Sequence, residues 1–527
     1  MKKVHNSALK VLLALILSFI LLHLPVLAQE KYAGNNFVTL KPGSSQAEIV
    51  EAAAHITPSP RQLAWQHLET TAFVHFGLNT FYNQEWGLGT ENPARFNPTL
   101  LNTDQWAKEI SEAGFKMLIM TCKHHDGFCL WPSKYTNHSV ASSPWMNGKG
   151  DLVKQVSESC RKYKLNFGVY LSPWDRHEPS YGNSPEYNKF VLNQLTELLT
   201  NYGKIDEVWF DGACGEGPNG NKQDYDWESY YSLIRKLQPD AVIAVIGPDV
   251  RWVGTESGYG RETEWSVVPY ELTNQENITE KSQKTNHENG FIPPGDLVSQ
   301  DLGGRLQIKE AKNLIWYPSE VDVSIRPGWF WHESENSQVK TPEKLLDIYF
   351  SSVGRNSQML LNIPPDSFGL INYADIKSLK AWRNTIDAIF TYNMAAGGFI
   401  KSNDKNLNIN ILTDQNNSTS WNPKGNIPFS FELKLKDFSD FDVLVLQENI
   451  HIGQRVEHFT LEAWVGNKWQ KVTDGTTIGF KRMLRFPSVH TNRVRLTVNQ
   501  SRLTPALAEF GLYHQIPSNT ETLHSIK

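Results

Sequence analysis

The sequence predicts an α/β fold in two parts: a (β/α)8-type, TIM-like catalytic barrel followed by a C-terminal antiparallel β-sandwich. Short apolar runs alternate with capped, helix-periodic stretches through residues 57–395, and that spacing calls for parallel strands joined by helical crossovers. The runs end in polar and aromatic residues, which a closed barrel would gather at one rim, favouring it over a doubly wound sheet. From residue 396 the helical period gives way to short strands separated by turn residues, the texture of a sandwich. A chain of 527 residues has room for two or three such domains.

Residues 1–28 read as a secretory signal peptide. Lys2, Lys3 and Lys10 precede an apolar run over 11–22, and Val26-Leu27-Ala28 supplies small residues before Gln29. The run is short for a permanent span, no later segment is long and apolar enough to cross a bilayer, and no Cys follows it to carry a lipid. The expected destination is the periplasm or the extracellular space, with no membrane anchor after cleavage. Residues 29–56 form a lead-in to the barrel.

A first strand over 71–77 ends in His75-Phe76-Gly77, and the loop after it carries Glu85 and Trp86. A helix over 106–113 closes at Gly114, and a second strand over 116–121 runs into Lys123-His124-His125-Asp126-Gly127-Phe128. After a helix over about 151–163, a third strand over 166–171 ends in Tyr170-Leu171-Ser172-Pro173-Trp174-Asp175. Ser184 with Pro185 marks the next helix start. It leads to the stretch that organises the chain, Ile205-Asp206-Glu207-Val208-Trp209-Phe210-Asp211-Gly212-Ala213. A period of two puts Trp209 and Asp211 on one side of this buried strand, an indole beside a carboxylate. The alternative is an Asp that merely caps the following helix. A helix over 227–237 and a fifth strand over 241–246 follow, and the loop beyond holds Arg251-Trp252-Val253-Gly254-Thr255-Glu256. The sixth strand is not placed by pattern. Later strand candidates are 313–316 and 358–363, with Thr341-Pro342-Glu343 capping the helix between them, and a final helix covers 376–392. The sandwich, 396–515, is expected to use strands over 408–412, 429–435, 441–448, 458–465, 468–472, 485–486 and 493–498; residues 516–527 are a tail.

The net charge of −5 and the absence of basic blocks argue against nucleic acid as a partner. The 17 Trp, 18 Tyr and 25 Phe tilt toward sugars, whose C–H faces lie against flat rings, although a large core also uses them. Cys122, Cys129, Cys160 and Cys214 are too few and scattered for a disulfide framework, so at most one bridge or buried thiols are expected. No phosphate-binding glycine loop or Gly-x-Ser-x-Gly elbow is present, which disfavours kinase and serine-hydrolase chemistry.

A barrel would bring His75, His124, His125, Tyr170, Trp209 and Asp211 to one rim. The His-His-Asp run invites a metal reading, but adjacent histidines at a strand end diverge and no second His or Cys pair at ligand spacing accompanies them; no metal or cofactor is expected. Cleaving a glycosidic bond with retention needs two carboxyl groups about 5 Å apart. Asp211 can be one. Glu256, Glu262 and Glu264 share the loop after the fifth strand, and the residues alone do not choose among them.

His75-Phe76-Gly77, Glu85-Trp86, Phe96-Asn97-Pro98, Lys123-His124-His125-Asp126-Gly127-Phe128, Tyr170-Leu171-Ser172-Pro173-Trp174 and Trp209-Phe210-Asp211-Gly212 together resemble glycoside hydrolase family 29, the α-L-fucosidases, over roughly residues 57–392. Gly247 to Glu256, with Thr263-Glu264-Trp265, resembles the branch that favours α-1,3/4-linked fucose in branched glycans, with Thr255 where an Asn is more usual. The resemblance implies a retaining exo-α-L-fucosidase with Asp211 as nucleophile and Glu256 as acid/base. His75, Glu85, His124, His125, Tyr170 and Trp209 would hold fucose hydroxyls, and Trp86 and Trp329 would face the ring or methyl group, Trp331 competing with Trp329. The sandwich resembles discoidin-like or galactose-binding modules. Implied partners are fucosylated oligosaccharides or glycoproteins. The competing readings are a broad fucosidase that also cuts α-1,2 linkages, an inactive fucose-binding lectin, and a metal-dependent hydrolase.

Overall fold

The computed structural model describes residues 35–276, 278, 301–402 and 407–515; the signal-peptide and tail readings lie outside the described residues. Eight strands form the barrel: β1 (Thr70–Val74), β2 (Met117–Lys123), β3 (Asn166–Leu171), β4 (Glu207–Phe210), β5 (Val242–Val245), β6 (Arg251–Trp252), β7 (Ser319–Ser324) and β8 (Gln358–Asn362). They pair in parallel in the order β5-β4-β3-β2-β1-β8-β7-β6, and a parallel bridge between Ala244 and Val250 joins the two edges. The strand residues are almost all buried, because helices and loops cover the outside while side chains fill the inside.

The elusive sixth strand is β6, only two residues long. It follows β5 directly, through a turn in which Val245 takes φ +62°, a conformation that costs a β-branched residue strain. A periodicity search has nothing to find in two residues. The expected strand at 313–316 exists but lies outside the barrel, pairing antiparallel with Phe37–Thr39 and Val267–Pro269. The seventh barrel strand is β7, which carries no continuous apolar run because Glu320, Asp322 and Ser324 interrupt it.

The interior explains those residues. Three indole N–H groups each meet one buried carboxyl: Trp65 donates to Glu207 Oε2 at 2.8 Å, Trp209 to Glu320 Oε1 at 2.7 Å and Trp252 to Asp322 Oδ1 at 2.7 Å. Among the described residues no N–H group reaches Glu207 Oε1 or Glu320 Oε2; the two carboxyls bond to one another, and burial raises both above the usual carboxylate range. Since the two carboxyls also repel one another as anions, the pair keeps a proton.

Helices α1 (Thr103–Glu112), α2 (Leu152–Lys162), α3 (Ser184–Asn201), α4 (Trp227–Leu237), α5 (Pro342–Ser351) and α6 (Tyr373–Phe390) are set by local signals. The side chains of Asn102, Asp151, Asp226, Thr341 and Asn372 each accept a first-turn N–H. Ser184 is not a cap: Asn183 holds that position without a side-chain bond, and Ser184 Oγ accepts the Asp224 N–H. Asp211 caps no helix either, since α4 begins sixteen residues later (227 − 211).

The C-terminal sheet turns on two 20-residue strands, Phe429–Glu448 and Arg482–Ser501, paired antiparallel with register shifts between Lys434 and Ser439 and between Phe441 and Val443. One half of this ribbon adds Phe399–Lys401 and Val456–Val465, and the other adds Leu507–Tyr513. The strands expected separately at 429–435 and 441–448, and at 485–486 and 493–498, are therefore single bent strands. The expected strand at 408–412 is a 3-10 helix, Ile409–Leu412, begun by the Asn408 side chain. Cys122, Cys129 and Cys160 are buried and Cys214 is half-buried, and no bridge joins any two of them.

Candidate active site

A cavity of about 990 Å³ opens at the C-terminal ends of the barrel strands. Phe73, His75, Glu85, Trp86, His124, His125, Trp209, Asp211, Glu256, Asp322 and Trp329 line it. The carboxyl after β4 and one glutamate of the loop after β6 thus face one space. Glu262 and Glu264 do not line it: Glu264 is buried in ion pairs with Arg251 and Arg261, and Glu262 lies on the surface near Arg355.

The three histidines are neutral and their tautomers follow from their partners. Burial lowers His75 to about 3, pushes His124 well down and lowers His125. Asn362 donates its amide N–H groups to Ser324 Oγ (2.9 Å) and the Trp329 carbonyl (2.8 Å), so its Oδ1 accepts the proton on His75 Nδ1 at 2.9 Å. Ser172 gives its hydroxyl proton to the Trp174 carbonyl and therefore accepts from His125 Nδ1 at 2.7 Å. His124 is opposite: Asn79 gives one N–H to the Glu85 carbonyl and another to His124 Nδ1 at 3.4 Å. His75 and His125 are thereby left with Nε2 lone pairs, and His124 with an Nε2–H donor. Hydroxyl groups, which both donate and accept, suit such a set.

These contacts also show why the His-His-Asp run diverges. His124 turns to Asn79, His125 to Ser172, and Asp126 is buried with its carboxyl accepting the Phe128 N–H, burial lifting it to about 7. Among the described residues no group of three or more His, Cys, Asp or Glu side chains is arranged to hold a metal ion. The strand end itself is locked by a fully buried pair, Lys123 Nζ to Asp175 Oδ2 at 2.8 Å, with Gln194 accepting a second N–H.

Asp211 is held from two sides: Ala213 N–H donates to Oδ1 at 2.7 Å and Tyr170 Oη–H to Oδ2 at 3.0 Å, while His125 Nε2 lies 3.9 Å away. Tyr170, expected to hold a sugar hydroxyl, does not line the cavity. It is fully buried behind the cavity, stacked on Trp209 at 5.2 Å, and its hydroxyl is committed to Asp211. Trp209 faces the cavity, but its N–H belongs to Glu320, so it offers a ring face and no donor.

Glu85 is tied to the loop after β7, accepting the backbone N–H groups of Trp329 (2.8 Å) and Phe330 (3.2 Å) and meeting His332 Nε2 at 2.6 Å. Trp329 in turn donates its indole N–H to Glu256 Oε2 at 3.0 Å. Of the two tryptophans in competition, Trp329 lines the cavity and Trp331 does not. Trp86 is 49% exposed at the mouth, edge-on to His125 and Trp174. The Glu256 loop is braced from outside by the sandwich: Thr477 Oγ1 accepts the Glu264 N–H, and Gln454 bonds the Glu264 carbonyl and the Ser266 N–H. Sequence reasoning missed Asn79, Ser172, Asn362, Trp252 and Asp322; the alternation Ser319-Glu320-Val321-Asp322-Val323-Ser324 is the signal that could have found Asp322.

The family model described as alpha-L-fucosidase matches residues 62–384. The chain is 44% identical over 468 residues to Alpha-L-fucosidase 1 of Arabidopsis thaliana, covering 86% of this chain and 87% of that protein. Among solved structures it is similar to a putative α-L-fucosidase of Bacteroides ovatus (TM-score 0.81, 47% identity, 92% of this chain and 79% of that one). It is also similar to a Ruminococcus gnavus family 29 fucosidase in complex with fucose (TM-score 0.75, 30% identity, 93% and 98%). A matched span of that length, at this identity and with this barrel, decides the assignment: the chain belongs to the α-L-fucosidase family of glycoside hydrolases, family 29.

Proposed function

We propose that the protein is a retaining exo-α-L-fucosidase that removes terminal α-1,3/4-linked fucose from branched, Lewis-type glycans on oligosaccharides or glycoproteins. The observation that carries the reading is the meeting of Asp211 and Glu256, from different strand-end loops, in one cavity with three neutral histidines.

In this reading Asp211 attacks the anomeric carbon while Glu256 gives its proton to the departing oxygen, and Glu256 then takes a proton from the water that releases fucose. Two donors hold the Asp211 carboxylate, so it meets the sugar oriented and without rotational freedom. His75 and His125 accept hydroxyl protons and His124 donates. Trp209 and Trp86 supply ring faces to the apolar side of the sugar.

The linkage preference draws support from the Gly247–Glu256 stretch and from the wall beyond Glu256. There Lys344 Nζ donates to Tyr259 Oη at 2.6 Å, and both line the same cavity as Glu256, offering polar groups to a leaving sugar. Binding energy from remote parts of a substrate raises turnover only when those parts are present. Lewis-type trisaccharides are thus expected to be cleaved with kcat/KM at least about tenfold above a 4-nitrophenyl fucoside, roughly 1.4 kcal/mol. An enzyme that prefers the aryl substrate and also cuts α-1,2 linkages would refute the linkage assignment, and one that binds but never cleaves would be the lectin.

The reading includes export, on the strength of Lys2, Lys3, Lys10 and the apolar run over 11–22. Mature protein with Gln29 at its N-terminus is the expected product. No helix among the described residues is long and apolar enough to cross a membrane.

A further inference from the structure

Asp322 is an acidic side chain that the two-carboxyl scheme does not use. It sits on the inner face of β7, 4% exposed, and lines the cavity together with Asp211 and Glu256. Its Oδ1 accepts the Trp252 indole N–H at 2.7 Å. The groups around it are Glu256 and Trp252 from β6 and its loop, Asp211 from the end of β4, and Glu320 and Ser324 on its own strand. The nearby cations are already engaged: Arg326 with Asp375, Lys340 with the Ser324 and Arg326 carbonyls, and Lys344 with the Tyr259 hydroxyl. Among the described residues no cation pairs with Asp322. A buried carboxyl between two others, with no cation to balance it, stays protonated. Burial raises it well above the carboxylate range, and the charges of Glu256 and Asp211 add to the effect. With Oδ1 accepting from Trp252, the proton belongs on Oδ2.

We propose that Asp322 is a third working carboxyl of the cavity, one that acts while neutral: its Oδ2–H donates to a hydroxyl of the sugar bound between Asp211 and Glu256. Neutrality is the essential part. An ionised Asp322 would place a second negative charge in a cavity whose reaction alternates one charge between Asp211 and Glu256, and would offer the sugar an acceptor in place of a donor. Asn has the required pattern, an oxygen for Trp252 and an N–H for the sugar, and cannot ionise. Ala has neither.

The inference rests on the fucosidase reading of the cavity, and the experiment separates the two. Wild type, Asp322→Asn and Asp322→Ala are compared with 2-chloro-4-nitrophenyl α-L-fucoside across pH, and L-fucose affinity is measured by calorimetry. This leaving group departs with little help from an acid, so the alkaline limb does not report Glu256. Asp322→Asn should stay within about threefold of wild type in kcat/KM and in fucose affinity, whereas Asp322→Ala should lose about tenfold or more in both. The alkaline limb of kcat/KM should move to higher pH in Asp322→Asn, because the amide has no proton to lose. Packing alone would not move that limb. An Asn variant as impaired as the Ala variant, an Ala variant equal to wild type, or an unmoved limb each overturns the inference. If Asp322→Ala does not fold, the Asn variant and its pH profile decide. A wild type that leaves the aryl fucoside intact overturns the fucosidase reading first, and this inference with it.

Discussion

Replacing Trp329 by Phe isolates one hydrogen bond at the proposed acid/base. The Trp329 N–H donates to Glu256 Oε2 at 3.0 Å, while its ring packs against His75 (centroids 5.0 Å) and Phe73 (6.3 Å). Its backbone is pinned separately by Glu85 and Asn362, so Phe keeps the loop and much of the ring and loses only the donor. A hydrogen bond to a charged group contributes about 1.5–3 kcal/mol, and the half-buried setting of Glu256 argues for a value around or just below the low end, about 1–2 kcal/mol. That stabilisation belongs to the carboxylate Glu256 becomes once it has given up its proton. It therefore matters in the transition state only in proportion to the proton transferred. With phenyl α-L-fucoside, a poor leaving group, kcat/KM should fall by about 5- to 30-fold. With the 2-chloro-4-nitrophenyl fucoside, which needs little protonation, it should fall far less. Any loss of ring contact with the sugar is common to both substrates and cancels in the ratio. The assay is the slope of log kcat/KM against leaving-group pKa for a series of aryl fucosides, expected to be steeper in the variant. Equal losses along the whole series would refute the link between Trp329 and Glu256 and leave Trp329 as a packing residue.

Three further variants have expected outcomes. Asp211→Gly should lose about 10³-fold or more in turnover, roughly 4 kcal/mol, and azide should partly restore it with inverted anomeric configuration, while Glu256→Ala with azide should give the retained anomer; near wild-type turnover in Asp211→Gly would remove it from the mechanism. Glu320→Gln should flatten the dependence of stability on pH. The Glu207 and Glu320 carboxyls are raised by burial, so the folded state holds a proton that the unfolded chain releases near pH 4.3. The stability tied to that proton is complete below about pH 4.3 and falls as pH rises, by up to about 1.4 kcal/mol per unit, until the pair ionises. Gln keeps an acceptor for Trp209 and removes one acid, and melting midpoints with an unchanged pH slope would show that the pair holds no extra proton.

Much of the site was legible in the sequence because its residues sit at strand ends, where an apolar run breaks off into polar and aromatic residues. His75, His124, His125, Trp209 and Asp211 were found in this way, and all face the cavity. The helix start at Thr341 was local too, since a cap is satisfied within three residues, whereas the one read at Ser184 falls to Asn183. The two bent strands of the sandwich read as four, because a register shift interrupts the period of two without ending the strand.

What only the tertiary structure decided depends on partners far apart in the chain. Glu256, Glu262 and Glu264 are alike in sequence; Arg251 and Arg261 draw Glu264 into the core, and Trp329, 73 residues from Glu256, meets it at the cavity. Tyr170, read from the sequence as a sugar ligand, is buried with its hydroxyl donating to Asp211, 41 residues on. The histidine tautomers rest on Asn79, Ser172 and Asn362, whose roles exist only once the strands are side by side. β6 is too short to carry a period and is a strand only because β7 supplies its hydrogen-bond partners. Local pattern reports which groups a chain offers at each strand end; burial and the identity of the opposing group determine which of them carry protons, and those depend on the closed barrel.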